Sequence, residues 1–389
     1  MVTEISHHDL IIAGGGLAGG LIALAVAQQR PEIRLLLIES EGQPGGNHVW
    51  SFFDGDVSRE HRPLIEPMIA WRWEGGHDVR FPGYSRTLKA PYNSMTSDAF
   101  AAHLHATLGK RLMTGAYIAD LRPEGVTLDD GRHFTADGVI DARGGADLSA
   151  FDCGWQKFVG QELHLSTPHG MRRPTIMDAT VPQGDGYRFV YLLPTGERTI
   201  FVEDTYYSTD PVIDAEMLRH RIANYAADQF WKVETVEREE QGCLPVLMGG
   251  DFEHFWPGDD PLPRAGARAA MFNPTTGYSL PDAVRFAHHV AGLSNLDSAV
   301  LARESRAWAA RLWKERGYFR LLDTMLFRAA EPSQRWRIFA RFYHLAEPLI
   351  GRFYASGLTL SDRIRILSGR PPVPIRGALR AIMQQREQQ

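Results

Sequence analysis

The stretch Asp9 to Gly20, DLIIAGGGLAGG, restricts what this chain can fold into more than any other part of its 389 residues. Leu10, Ile11, Ile12 and Ala13 form a continuous apolar run, as in a parallel strand covered on both faces. Gly14, Gly16 and Gly19 follow in G-x-G-x-x-G spacing. In that pattern the first glycine permits a tight turn, the second lets the backbone approach a pyrophosphate, and the third lets the next helix pack against the strand. The helix is expected to run to about Gln29, Pro31 breaks it, and Ile33 to Ile38 supplies a second apolar strand ending on Glu39. An acid about 20 positions past the last glycine is where a carboxylate holds an adenosine ribose. The glycine turn alone is weakly specific and also suits a helix packed on a sheet with no ligand. Strand, turn, helix, strand and acid together favour a dinucleotide site.

Leu10 to Ala27 is 18 residues without a charge, but five of them are glycine and Glu4 and Asp9 precede the run. A membrane span or a signal peptide would need a different composition and a basic flank. Cys153 and Cys243 have no metal-ligand spacing and are expected as reduced thiols in a cytosolic setting, and the 15 histidines form no H-E-x-x-H pattern, so no metal is expected. Charge is unevenly spread. Residues 301–389 hold 17 Lys and Arg against 7 Asp and Glu, a local +10, which leaves −15 on residues 1–300. Such a split asks either for an anionic surface to bind or for internal pairing between the two parts.

Along the chain, the loop EGQPGGNHVWSFF brings Gly45, Gly46, Asn47 and His48 after Glu39, and its glycine pair suits either close backbone approach to a ligand or a plain turn. Ser97 is expected to cap a helix to about Leu108, and Tyr117 to Val139 reads as short strands turning at Asp129-Asp130-Gly131. VIDARG, residues 139–144, reads as a strand that returns beside the first and ends on Asp141. Four β-rich segments follow between Trp155 and Ser208, then a helix from about Asp214 to Phe230 and a strand near Cys243 to Leu247. They predict an antiparallel sheet inserted into the nucleotide fold. Arg268 to Asp282 reads as an apolar strand leading through Pro274, Thr275, Thr276, Gly277 and Tyr278 to a helix start, whose amides would face an anionic group. An ordinary capped helix start has the same residues. Beyond Leu301 the chain reads as helices rich in arginine and carrying eleven aromatics between Trp308 and Tyr354. That pattern fits a helix on an anionic bilayer as well as amphipathic core helices. No nucleic-acid-binding module is visible, and the remainder is acidic.

The fold expected is therefore α/β. A discontinuous nucleotide domain of Rossmann type takes residues 1–150 and 262–300, an antiparallel β substrate domain takes 151–261, and a helical, basic, aromatic-rich, membrane-facing region takes 301–389.

Together the motifs resemble the bacterial lycopene β-cyclases, flavoproteins of carotenoid biosynthesis. The resemblance spans DLIIAGGGLAGGLIAL, PGGNHVWSF, VIDARG, FVGQE, IMDAT, GYRFVYLLP, FVEDT, FNPTTGYSLP, MLF and LSGRPPVP, nearly the whole chain. It implies FAD, active in its reduced form, NADPH or NADH as reductant, and lycopene or related ψ-ended carotenoids as substrate. Lycopene would pass through γ-carotene to β-carotene without net redox change. It also implies a cytoplasmic protein held peripherally at the inner face of the cell membrane, in contact with other carotenoid enzymes. The match to FVEDT implies a catalytic role for Glu203 and for Asp204, and the matches to FVGQE and IMDAT bring Glu162 and Asp178 near the same cavity. On a strand, Glu203 and Asp204 point to opposite faces, so at most one of them faces a shared pocket unless the strand has ended. The cofactor residues expected are Gly14, Gly16, Gly19, Glu39, Gly45, Gly46, Asn47, His48, Asp141, Pro274, Thr276, Gly277 and Tyr278. Rival readings are an FAD-dependent monooxygenase or prenyl-chain reductase, which consumes one reductant per turnover, and a flavin-binding scaffold with no turnover.

Overall fold

The computed structural model describes residues 6–184 and 186–368, so the LSGRPPVP motif lies outside the described residues beyond Ser368. In chain order the first elements are β1 (Ser6–Ala13), α1 (Leu17–Gln29), β2 (Leu35–Ile38), β3 (Val49–Phe53), β4 (Ile69–Trp73), β5 (His77–Phe81), β6 (Tyr84–Leu88), β7 (Tyr92–Thr96), α2 (Ser97–Leu108), β8 (Leu112–Met113), β9 (Ile118–Arg122), β10 (Gly125–Leu128) and β11 (His133–Asp141). The second half adds β12 (Phe151–Leu165), β13 (Thr175–Asp178), β14 (Arg188–Pro194), β15 (Thr199–Ser208), α3 (Ala215–Asp228), β16 (Val233–Gly250), α4 (Phe252–Phe255), α5 (Leu280–Ala291), α6 (Ser298–Glu315), α7 (Gly317–Arg328), α8 (Trp336–Phe342), α9 (Glu347–Tyr354) and α10 (Leu360–Leu367).

The first sheet has the order β8-β2-β1-β11-β10-β9. β11 returns parallel to β1, pairing Asp141 with Ala13, and β2 lies parallel on the other side. Leu10 to Ala13 are fully buried, as are Leu21 to Val26 of α1, so the apolar run and the glycine-rich helix bury each other. β2 starts at Leu35 rather than Ile33, because the Ile33 N–H is spent on a turn to the Arg30 carbonyl at 3.0 Å. Thr96, not Ser97, caps α2 by accepting from the Ala99 N–H at 3.2 Å. The Ser97 hydroxyl instead accepts from the His48 N–H at 3.2 Å and ties the glycine-pair loop to α2.

The second sheet has the order β16-β12-β15-β14-β13-β5-β6. It is antiparallel throughout except where β13 meets β5 in parallel. The sheet expected within 151–261 therefore also takes two strands from residues 77–88. β13 would otherwise be an open edge, and β5 presents Val79 and Phe81 to the same core as Ile176 and Met177. One face of this sheet, with Val159, Val190 and Val202, packs on Leu218, Ile222 and Tyr225 of α3. The other face, with Phe189, Phe201 and Tyr207, meets Phe319, Phe327 and Tyr354 from the C-terminal helices.

The strand expected from Arg268 does not form. Gly266 to Ala269 make a 3-10 turn, and Ala270 follows in the left-handed region at φ 53°. The Met271 N–H closes this turn on the Gly266 carbonyl at 3.0 Å. The run is apolar because it is buried under α1, where a Cβ on Gly266 would lie 2.6 Å from that of Ala18.

Candidate active site

The first sheet, the second sheet and the C-terminal helices enclose one cavity of about 1060 Å³. Its lining runs from Gly14 and Glu39, past Arg143, Arg268 and Thr275 to Leu280, to Glu203 on β15 and on to Phe339, Phe342 and Leu367.

At the nucleotide end the three glycines do three different things. Gly14 adopts φ 102°, and a Cβ there would lie 2.8 Å from the backbone of Ala142. At Gly19 a Cβ would lie 2.0 Å from the Gly14 carbonyl oxygen, so that glycine brings helix against strand and does not line the cavity. A Cβ at Gly16 would meet nothing within 4 Å, and this residue does line the cavity. The open space over Gly16 is the cradle that a pyrophosphate needs. Glu39 accepts from the Gly15 N–H at 2.7 Å and from the Glu41 N–H at 2.9 Å, which fixes its carboxylate at the cavity rim. Gly45 and Gly46 line the cavity in left-handed conformations at φ 88° and 64°, and His48 lies beside them. Asn47 points away and donates to the Glu239 carbonyl at 2.6 Å. Asp141 is buried behind the wall, where it holds Arg143 at 2.9 Å and Arg268 at 3.2 Å. Those two arginines border the cavity; the sequence reading holds them within VIDARG and at the start of the 268–282 segment without giving either a role.

The amides of Thr275 to Tyr278, expected to face an anionic group, are bonded within their own turn. Asn273 Oδ1 accepts from Thr275 and Thr276 N–H at 2.9 and 3.1 Å, its carbonyl accepts from Gly277 at 2.9 Å, and the Thr276 hydroxyl accepts from Tyr278 N–H at 3.3 Å. Thr276, Gly277 and Tyr278 nevertheless line the cavity, whereas the Pro274 carbonyl is bound to the Leu247 N–H at 3.1 Å. The Tyr278 hydroxyl is 2.7 Å from that of Tyr92, to which Tyr191 donates at 3.0 Å.

Of the four candidate acids only Glu203 borders the cavity. It is half-buried by area because its free surface opens onto that cavity, and it is otherwise enclosed by protein. Burial pushes its carboxyl up to about 7, against the Thr205 hydroxyl that donates to it at 2.5 Å. Asp204, on the opposite face of β15, is fully buried in an ion pair with Arg188 at 2.6 Å, with Arg221 at 3.7 Å. Asp178 also faces α3, accepting from the Tyr225 hydroxyl at 2.9 Å and the Thr180 hydroxyl at 2.5 Å. Glu162 shares the face of Glu203 but sits further along, opposite Phe201, where the Thr195 hydroxyl donates to it at 2.9 Å. Asp204, Asp178 and Glu162 are thus structural neighbours of the cavity walls.

Besides Glu39 and Glu41 at the nucleotide end, Glu240 and Asp323 also line the cavity. Glu240 on β16 is buried, and burial with the nearby charge of Glu203 pushes it up to about 8. Asp323 on α7 is fully buried, accepts from the Thr275 hydroxyl at 3.1 Å, and is driven well above the usual carboxylate range by burial. Glu240 was hidden in the sequence because Val233 to Glu240, VETVEREE, shows no alternation of apolar and polar residues.

A family model described as lycopene cyclase protein matches residues 9–380. The lycopene beta-cyclase of Pantoea ananas is 46% identical over 97% of this chain and 98% of its own, and that of a Paracoccus species 40% identical over 96% and 97%. Among solved structures, a geranylgeranyl bacteriochlorophyll reductase-like protein from Thermoplasma acidophilum superposes with a TM-score of 0.64 at 14% identity, covering 98% of this chain and 100% of that one. A flavin-dependent brominase gives 0.61 at 12% identity, covering 99% and 100%. These two share the fold of this chain. The cavity, its buried acid and the full-length sequence match agree, and the chain belongs to the lycopene cyclase family.

Proposed function

We propose that this cavity closes the acyclic ends of lycopene into β-ionone rings by acid-base chemistry, with FAD bound along the Gly14 to Leu280 wall. One observation carries the reading: Glu203 is an enclosed carboxyl raised to about 7 in a cavity it shares with Phe158, Tyr191 and a second buried acid, Glu240. A carboxyl in such a place stays protonated near neutral pH and can donate. Glu203 gives its proton to the terminal double bond, the neighbouring double bond attacks the resulting cation, and loss of a ring proton leaves an isomer of the starting material. Phe158, Tyr191 and Phe342 line the same cavity, and aromatic rings attract cations.

The residues fit FAD. Glu39 would hold the ribose, Gly16 would lie under the pyrophosphate, and Arg143 and Arg268 would face its charge. When bound and reduced by NADPH or NADH, the cofactor supplies negative charge beside the cation. Lycopene has no polar group, so it would be taken from a bilayer. Among the described residues no helix is long and apolar enough to cross a membrane; the reading here is peripheral attachment at the cytoplasmic face. A prenyl-chain reductase is the second reading, favoured by the fold match to a reductase-like protein.

The test is anaerobic incubation of the purified protein with FAD, NADPH and lycopene in liposomes, followed by chromatography. γ-Carotene appearing before β-carotene is expected. A product with fewer double bonds and no ring would replace this reading with the reductase.

A further inference from the structure

We infer that Glu240 takes the proton off the newly closed ring, facing Glu203 across Gly160, and thereby decides which ring isomer is released. The inference rests on Glu203 being the proton donor, as proposed above. Its basis is the register of the second sheet. Tyr191 pairs with Glu203, Glu203 with Gly160, and Gly160 with Glu240, a row across β14, β15, β12 and β16. Directly paired residues in antiparallel strands share a face, so both glutamates rise from the cavity face, and both line the cavity. Between them stands a residue with no side chain. A Cβ on Gly160 would lie 2.2 Å from Phe201 Cζ, so the missing side chain makes room for the buried ring of Phe201. Two strand spacings separate the backbones, roughly 10 Å, a gap that two glutamate side chains can narrow to the width of a six-membered ring.

The two carboxyls are not equivalent. Glu240 Oε2 accepts from the Val49 N–H at 3.0 Å, and the Arg238 guanidinium favours its charged form. Among the described residues, the hydroxyl of Thr205 is the donor to Glu203. Burial raises both, Glu203 to about 7 and Glu240 to about 8 with the charge of Glu203 as its second cause. Such a pair titrates in coupled steps and holds about one proton between its two intrinsic positions near neutrality. In the form with the proton on Glu203, the charge on Glu240 is offset by the Val49 N–H and the Arg238 guanidinium.

The balance then closes. The Glu203 O–H bond breaks as a C–H bond forms at the chain end, the C–C bond closes the ring, and the positive charge moves to a ring carbon. The C–H bond beside that carbon breaks, its electron pair becomes the ring double bond, and the proton goes to Glu240. Return of that proton from Glu240 to Glu203 resets the pair, with no oxidant or reductant consumed. The cation can lose a proton from any neighbouring carbon, and the fixed position of Glu240 selects one.

The experiment compares Glu240→Gln, Glu240→Asp and Glu203→Gln for lycopene cyclisation with FAD and NADPH, resolving β rings from isomers with the double bond elsewhere. Flavin content and Tm are read on each variant. Removing a general base costs about 10²- to 10⁴-fold on the step it serves. The expected result for Glu240→Gln is β-ring formation reduced by at least about 10²-fold, with bound flavin retained and the residual product enriched in other ring isomers. Glu240→Asp should restore part of the β-ring share. An isomer ratio like wild type in Glu240→Gln, or a loss that Glu240→Asp does not relieve, overturns the assignment. Glu203→Gln keeps the two readings apart, because full activity there overturns Glu203 as donor whatever Glu240→Gln does.

Discussion

Glu203 and Asp204 are adjacent in sequence and have opposite fates, and β-strand geometry alone explains why. A strand alternates its side chains, so one carboxyl opens onto the cavity and the other is sealed against Arg188 under α3. Glu203→Gln keeps size and polarity but cannot exchange a proton. We expect it to retain fold and flavin and to lose about 10²- to 10⁴-fold in cyclisation rate, measured as product per minute. The pH dependence has a defined shape. Glu203 is raised to about 7 and faces Glu240, raised to about 8, on the neighbouring strands. The proposed chemistry needs one proton on the pair, with Glu203 protonated and Glu240 ionised, so the rate should peak between about 7 and 8 and fall on either side. A rate that keeps climbing above about 8 would count against a carboxyl donor. Gly16 and Gly19 form a second contrast. Gly16→Val should fold, since space is open around its Cβ, and should purify without flavin absorbance. Gly19→Val should misfold, since a Cβ there already lies 2.0 Å from the Gly14 carbonyl oxygen.

At the scale of elements, what the sequence revealed depended on whether a pattern was local. β1, α1 and the end of β11 at Asp141 were legible because apolar runs, glycines and an acid sit within a few residues of each other. The pairing of β13 with β5 was not, because it joins residues about a hundred positions apart, between Asp78 and Thr175. The buried run Ala269 to Phe272 imitated a strand because burial, not hydrogen bonding, is what an apolar run records. The same limit hid Glu240, whose inward face is set by pairing with β12 rather than by its neighbours in sequence. Asp204 tests the element reading. Asp204→Asn leaves Arg188 buried without its carboxylate partner, a loss of about 3 to 5 kcal/mol for broken buried pairs. A lowered Tm with kcat per bound flavin near wild type is expected. Lost activity at unchanged Tm would place Asp204 in the chemistry instead.

Across the whole molecule, part of the charge asymmetry is resolved internally. Arg306 meets Glu253, Arg316 meets Asp282 at 2.8 Å, and Arg328 meets Asp152, each joining the basic C-terminal third to the acidic remainder. The aromatics of that third are largely spent inside the protein, Phe319 and Phe327 in the core and Phe339, Phe342 and Phe353 on the cavity wall. What stays outside is narrower than the composition suggested. Leu360, Ile364 and Leu367 are exposed along one side of α10, and Leu367 also borders the cavity. Peripheral binding through this region would place the cavity mouth at a bilayer. Each basic residue near an anionic surface contributes about 1 kcal/mol, weakened by salt. Sedimentation with anionic vesicles should exceed that with neutral ones and fall as salt is added. Equal sedimentation would mean that the C-terminal charge is consumed by internal pairs.

The central claim is that the cavity isomerises its substrate, with the reductant serving only to keep the flavin reduced. The direct measurement is the number of rings formed per NADPH oxidised, under strict anaerobiosis, over many turnovers. The account predicts that rings accumulate well beyond the NADPH consumed. One NADPH oxidised for each product molecule would contradict it.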